Sequence, residues 1–342
     1  MNVKDAGQVS SGKPRTGFSR FIVGHYDISA TCNLRCEGCF YFDAPEAERS
    51  VDTRTPEQWE RFFAVERDHG VNFAMLAGAE PSLQLDRLRL AQRYIPNGVV
   101  YSNGVRLIPG DLRYKIHLSI WGVGATDSEL RGAAVIARAM ENYRNDRRAL
   151  CVFTITALNL HDIVPATRLA ALHGLPITFN YFSPSINFNE KLRRGDGNDQ
   201  LVFRISSQSH NPAMSRSDFT NARLEIERAM TLFPETVLYS LHYDDWITQS
   251  NPHDIDPDTG IARDCGVRIT HQVHYKIDMT SDMKCGAPQT DCSTCRGYGP
   301  NYATYFLRRR SAAQLPGGVE AWYETRRLWA RMFLPDTAAA GA

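Results

Sequence analysis

Cys32-Asn33-Leu34-Arg35-Cys36-Glu37-Gly38-Cys39 places three thiols within eight residues, with three and then two residues between them. That set is one ligand short of a closed tetrahedral site. Structural zinc takes four protein ligands, and a cubane iron–sulfur cluster presents four irons to be ligated. Three cysteines hold three irons and leave the fourth open to a small molecule. An open position marks a catalytic metal centre rather than a structural one. The alternative is a zinc knuckle that takes a further ligand such as His25 or Asp43.

Around this loop the chain alternates apolar runs with helical patterns. The run 21–28 reads as a first strand leading into the cysteines. Thr55-Pro56-Glu57 opens a helix, with Thr as N-cap, Pro at the first position and an acid in the first turn. Strands are expected over 71–77, 98–101, 115–120, 149–156 and 177–182, and helices over 86–94, 126–143 and 162–173, the last closed by Gly174. Six strands alternating with helices imply a parallel sheet with right-handed crossovers, most economically closed as an α/β partial (β/α)6 TIM-like barrel. An open doubly wound sheet is the runner-up. In such barrels chemistry sits at the carboxyl ends of the strands. There lie the cysteine loop, Gly78-Ala79-Glu80-Pro81, Ser102-Asn103-Gly104, Trp121-Gly122 and Asn159.

C-x3-C-x2-C directly after a first strand resembles the signature of radical S-adenosylmethionine (SAM) enzymes. The resemblance implies a 4Fe-4S cluster on Cys32, Cys36 and Cys39, with the amino and carboxylate groups of SAM on the fourth iron. Reductive cleavage of SAM then yields a 5'-deoxyadenosyl radical that abstracts hydrogen from substrate. The family's aromatic residue before the third cysteine is Gly38 here; Phe40 and Tyr41 follow the motif instead and are candidates for the adenine side. Gly78, Ala79, Glu80 and Pro81 are similar to the Gly-Gly-Glu-Pro segment that binds the amino group of SAM, with Ala79 in place of the second glycine. Ser102, Asn103, His117, Ser119 and Asn159 are similarly placed for the sulfonium, ribose or adenine. His117 reads equally as a core histidine, and Asn159 as a turn residue.

A second group, Cys265, Cys285, Cys292 and Cys295, has nineteen, six and two residues between its members. Four thiolates close a zinc site or hold every iron of a second cubane. The alternating stretch 274–282 reads as a β-hairpin, and Cys292-Ser293-Thr294-Cys295 as a tight knuckle. Hairpin plus knuckle resembles the twitch or SPASM-type extension of radical SAM enzymes, which implies one auxiliary 4Fe-4S cluster, with zinc the alternative. One cysteine is left over, Cys151. It reads as a buried small hydrophobe, or as a hydrogen-atom donor to a substrate radical if its thiol points into the barrel.

The remaining sequence bounds the function. With 342 residues, 43% of them hydrophobic, the chain sustains a large core. Lys+Arg number 39 against Asp+Glu 38, a net charge of +1, so no nucleic-acid partner is expected; Arg308-Arg309-Arg310 lacks interleaved aromatics and reads as a solvated face. No apolar run approaches a membrane span, and the polar first residues carry no secretory h-region, so a cytoplasmic location away from membranes is expected. Eight cysteines then point to metals or catalysis rather than disulfides.

The expected organisation is a flexible arm (1–19), a radical SAM core (20–183), and a polar loop, helix and strand covering the substrate (184–250). An auxiliary-cluster domain (251–310) and a terminal helix and tail (311–342) follow. Within the third unit a helix is expected to about 233 and a strand over 237–241. Glu190, Arg204, His210, His242, Tyr243 and Asp244 are candidate substrate contacts. The substrate is expected to be a polar small molecule of sugar, nucleoside or aminocyclitol type from natural-product biosynthesis. Oxidation, epimerisation, decarboxylation or coupling would follow, with flavodoxin or ferredoxin as electron donor. A radical SAM peptide maturase and a non-enzymatic zinc-binding interaction module are the competing readings.

Overall fold

The computed structural model describes residues 21–43, 51–249, 252–269, 273–281 and 291–335. The expected amino-terminal arm, Cys285, the second strand of the hairpin and the tail from 336 onward lie outside the described residues.

Seven parallel strands form one sheet: β1 (Val23–Asp27), β2 (Phe73–Ala77), β3 (Gly98–Ser102), β4 (Lys115–Ile120), β5 (Ala149–Ile155), β6 (Ile177–Tyr181) and β7 (Val273–Tyr275). Their order is β6-β5-β4-β3-β2-β1-β7, so the first six run consecutively and the seventh joins beyond β1. This is the α/β partial barrel expected. Helices α1 (Phe40–Asp43), α2 (Pro56–Asp68), α3 (Leu85–Tyr94), α4 (Gly124–Arg131), α5 (Ile136–Asn142), α6 (Ile163–Leu172), α7 (Ile186–Arg194), α8 (Arg216–Leu232), α9 (Leu241–Ile247), α10 (Gly266–Ile269), α11 (Tyr298–Leu307), α12 (Arg309–Ala312) and α13 (Gly318–Phe333) complete the described elements.

Side chains alternate between the faces of each strand. Tyr26 of β1 turns outward to α2, its ring 5.4 Å from Phe63 and its hydroxyl donating to Glu66 at 2.7 Å. Leu118, Cys151 and Phe153 are fully buried on strands β4 and β5. The opposite, concave face carries His25, Asp27, Tyr101, His117 and Ser119. Helices α11 and α13 plug part of it: the His117 ring lies 5.6 Å from Tyr298 and 4.8 Å from Phe333. The Thr55 cap of α2 is a full capping box, its side chain accepting from Gln58 N while Gln58 accepts from Thr55 N.

Four expectations change. The helix over 126–143 is two helices, broken at Gly132 with φ of +76°. A Cβ there would meet Arg35 O at 2.9 Å, so glycine serves both the left-handed turn and close approach to the cysteine loop. The strand over 237–241 reduces to a single parallel bridge, Val237 to Ile177; the chain turns into α9 because Ser240 caps it, accepting from Tyr243 N. The stretch at 274 gains a pairing not expected: β7 joins β1 in parallel, His25 opposite His274, and a turn follows it, closed by Lys276 N to Thr280 O at 2.9 Å. The polar insert contains α7, and Asp199 Oδ1 accepts from the amides of Leu201, Val202 and Phe203, which folds it without regular structure.

Candidate metal centre

The cysteine loop leaves β1 and is bolted down by a buried carboxylate inside the motif. Glu37 is fully buried and accepts from Arg204 N (2.8 Å), Ile205 N (3.2 Å) and Ser206 Oγ (2.6 Å). Its own amide donates to Leu130 O, and that of Gly38 to Val202 O. The polar insert is thereby fastened across the loop. Phe188 and Phe203 from the insert pack with Trp121, Leu130 and Phe182 in a small apolar cluster beside it.

Cys32, Cys36 and Cys39 are reduced and half-buried. Burial lifts the Cys32 thiol to about 11 and the Cys39 thiol to about 12; Cys32 is raised further by Glu80 and Cys36, and Cys39 by Cys36 and Cys32, so the thiols share one field. Burial also raises Cys36, opposed by Arg131 and Arg204. The three sulfurs do not all lie within 4.8 Å of one another, the reach of one ion. Three thiols that share a field but are too spread for one cation match a multi-iron cluster better than a zinc knuckle. Asp43, a possible knuckle ligand, is taken up instead by Ser185 Oγ and Asn187 Nδ2.

Beside Cys36 lies Arg131, fully buried, with its guanidinium against the Cys36 thiol and its Nη2 donating to Asn103 O at 3.2 Å, while Nε and Nη1 find no oxygen or nitrogen acceptor. Its nearest carboxylate, Asp127, is 3.9 Å from Nη1. Orphaned donors on a buried guanidinium are costly, and an anionic group beside the cysteines relieves them. The donor set and the orphaned cation fit a thiolate-ligated cluster with an anionic ligand next to it.

Glu80 works as a staple. One oxygen accepts from Ser82 N and Ser102 Oγ, the other from Asn103 N, tying the end of β2 to the end of β3. Gly78, at φ +109°, brings backbone so close that a Cβ would meet Ser29 O at 2.9 Å. Ala79 N donates to Ser29 O, and Pro81 begins a short 3-10 turn. Asn103 Nδ2 reaches Cys32 Sγ at 3.7 Å and Asn33 Oδ1 at 2.7 Å. Gly78 to Pro81, Ser102 and Asn103 therefore border the cysteine loop as one network. Phe40 and Tyr41 begin α1 at the loop's end, Phe40 largely exposed.

The other expected contacts fall elsewhere. His117 is buried, bonded through Nε2 to Met332 O at 2.9 Å and pushed down to about 4 by burial, which places it under α13 as a core histidine. Ser119 Oγ accepts from Trp121 Nε1 on the concave face. Asn159 spends both Nδ2 hydrogens on Trp121 O and Thr154 O and accepts from Thr156 N, so it stitches β4 to β5. Cys151 lies against Met140 of α5 at 3.9 Å between sulfurs; its thiol faces the helices, raised to about 12 by burial, and not the barrel interior.

Among the candidate substrate residues, Arg204 donates to Glu129 O and braces the cysteine loop. Asp244 is closed off by Tyr181, Tyr239 and Arg223, and Tyr243 stacks on Tyr302 at 4.0 Å between ring centres. His242 bonds Tyr305. Glu190 and His210 lie on the outer insert, Glu190 3.6 Å from Arg194.

In the second group, Cys265 and Cys292 share a small apolar cluster with Ile255, Ala262 and Val267. Cys295 Sγ lies 3.7 Å from Asn301 Nδ2, and Arg296 N donates to Ser183 Oγ, anchoring the knuckle near the end of β6. The groove of about 700 Å³ on the outer helices, bordered by Val123, His161, Arg168 and Arg228, contains none of these residues.

Sequence reasoning missed Glu37, Arg131, Asp27 and His274. Glu37 carried a faint signal, a charge inside a tight metal motif; the others carried none.

No family model matches the chain. No curated protein matches it either. Solved structures do. SuiB of Streptococcus suis bound to S-adenosylmethionine superposes with a TM-score of 0.53 at 14% identity, over 80% of this chain and 63% of SuiB. Native anSMEcpe with bound AdoMet gives a TM-score of 0.53 at 11% identity, over 91% of this chain and 88% of the other. The chain thus spans under two thirds of SuiB, and the likeness is one of fold. Among the described residues, no helix is long and apolar enough to cross a membrane.

Proposed function

We propose that this chain is a radical SAM enzyme whose Cys32, Cys36 and Cys39 hold a 4Fe-4S cluster at the mouth of the partial barrel. The observation that carries the reading is the cysteine triplet itself: three thiols in one field, too spread for one ion, beside the orphaned guanidinium of Arg131. Its fold is shared with two SAM-bound proteins. When bound, cluster and SAM together supply a 5'-deoxyadenosyl radical.

The chain's own residues have distinct tasks. Glu37 fixes the loop. Arg131 offers Nε and Nη1 to the SAM carboxylate, while the Gly78–Glu80 segment presents backbone to the amino group. The polar concave face, with His25, Asp27 and Ser119, suits a hydrogen-bonding substrate next to the site. Cys265, Cys285, Cys292 and Cys295 would hold one auxiliary 4Fe-4S cluster, for which the convergence of Cys265 and Cys292 is the support. A polar small molecule remains the preferred substrate class.

The test is anaerobic reconstitution, reduction, and incubation with SAM and deuterated candidate substrates. Formation of 5'-deoxyadenosine, with deuterium in it for the true substrate, is the expected result. A colourless protein that binds zinc at the triplet and leaves SAM intact ends the reading. Deuterium transfer from a peptide alone would turn it to a maturase.

A further inference from the structure

β7 joins β1 in parallel with His25 directly opposite His274. Because strand side chains alternate, Asp27, two residues on, lies on the same face as His25. The outer faces of the same strands are filled otherwise: Tyr26 and Tyr275 stack at 5.8 Å over α2. The concave face thus collects two imidazoles and a carboxylate from segments far apart in the chain.

These three groups are short of partners. His274 is 5% exposed, and neither of its ring nitrogens makes a hydrogen bond; His25 Nε2 is buried and also without one. The two rings are 4.5 Å apart between centres, tilted at 44° rather than stacked. His274 Nε2 and Asp27 Oδ1 are 3.1 Å apart without the alignment of a hydrogen bond. Buried polar atoms are nearly always bonded, and one unpartnered nitrogen from each of the two rings, beside the Asp27 carboxylate, calls for a common partner. One ligand atom from each residue lies within 4.8 Å of the other two, the only such trio among the described residues. In a tetrahedral site with bonds of about 2.0–2.1 Å, ligand atoms are roughly 3.3 Å apart. The Asp27–His274 edge, at 3.1 Å, is close to that length, and the other two edges are no longer than 4.8 Å.

We infer that His25, Asp27 and His274 form a binding site for a divalent transition metal ion, distinct from both cysteine groups. Two imidazoles and one carboxylate suit zinc or ferrous iron and leave at least one position for an oxygen ligand. The three side chains lie on the concave side of the barrel, from which an oxygen ligand would approach that position. The ion would also tie β7 to β1, joining the carboxyl-terminal segment to the barrel. The inference does not depend on the radical SAM reading.

Zinc chloride is the probe, added at one equivalent to the anaerobically reconstituted full chain and read by zinc K-edge absorption. The expected spectrum shows nitrogen and oxygen neighbours with the outer-shell scattering of imidazole and no sulfur. Zinc affinity should fall at least about tenfold in His25→Ala, His274→Ala and Asp27→Asn, and stay unchanged in Cys292→Ser. Asp27→Asn keeps the shape of the side chain, and circular dichroism and iron content identify variants that remain folded. Zinc bound through sulfur, or affinity indifferent to Asp27→Asn in a folded protein, overturns the site.

Discussion

The two cysteine regions are held in opposite ways. The amino-terminal loop is built into the barrel by the protein's own contacts. Glu37 takes three hydrogen bonds from the insert, Glu80 takes one from its own turn and two from the end of β3, and Gly132 lets α4 close onto Arg35. The first region spends buried charge to preorganise its thiols; among the described residues of the second, Cys265 and Cys292 are held by apolar packing and the knuckle by a backbone anchor to Ser183. A catalytic centre with an open position requires the former, since geometry must persist as small molecules come and go. A closed site tolerates the latter, because ligand binding supplies the folding energy.

The sharpest break is Cys32→Ala, Cys36→Ala or Cys39→Ala. Each should abolish 5'-deoxyadenosine formation, read by mass spectrometry after anaerobic reduction; cleavage surviving in any one removes that thiol from the role assigned. Glu37→Ala comes next. It strands three donors, and a cost of about 3 kcal/mol is expected in urea unfolding, with faster amide exchange at 204–206. A variant as stable as the parent would mean the loop is held by the cluster and not by the protein.

Arg131→Met should fold and keep its iron yet bind SAM about thirtyfold more weakly, roughly 2 kcal/mol, by equilibrium dialysis. Unchanged SAM affinity would leave the orphaned guanidinium unexplained. Cys292→Ser sharpens the comparison from the other side. Iron should fall from about eight to about four atoms per chain while SAM cleavage continues; iron unchanged with zinc lost would identify the second group as a zinc site. The smallest effect is expected for Ala79→Gly, which restores the glycine of the similar motif without adding a contact. SAM affinity should move by less than about threefold, about 0.6 kcal/mol, in the same dialysis measurement.

Much of the barrel was legible because periodicity and turn chemistry are local. β4 runs from Lys115 to Ile120 as read from its apolar pattern, and β5 and β6 differ by a residue at one end. The break in the helix after β4 was missed because Gly132 is tolerated in a helical pattern; its left-handed φ is required by the nearness of Arg35, which lies almost a hundred residues earlier in the chain. Cys151 shows a subtler limit. Its place on a strand was plain, but which face it occupies depends on register with Leu118, and a shift of one residue reverses the answer.

What the sequence settled alone was the triplet of thiols, its place after the first strand, and the alternation of strands and helices that curves a parallel sheet around it. These follow from spacing and local pattern, which act within a few turns of chain. Tertiary structure decided that Glu37 and Arg131 are buried beside the thiols, that Asn159 and Asp244 spend their polar atoms on the fold, and that His274 meets His25 and Asp27. The reason is physical. A charge or an imidazole is defined by the dielectric and the partners around it, and those are assembled by contacts between segments that the chain's own order keeps apart.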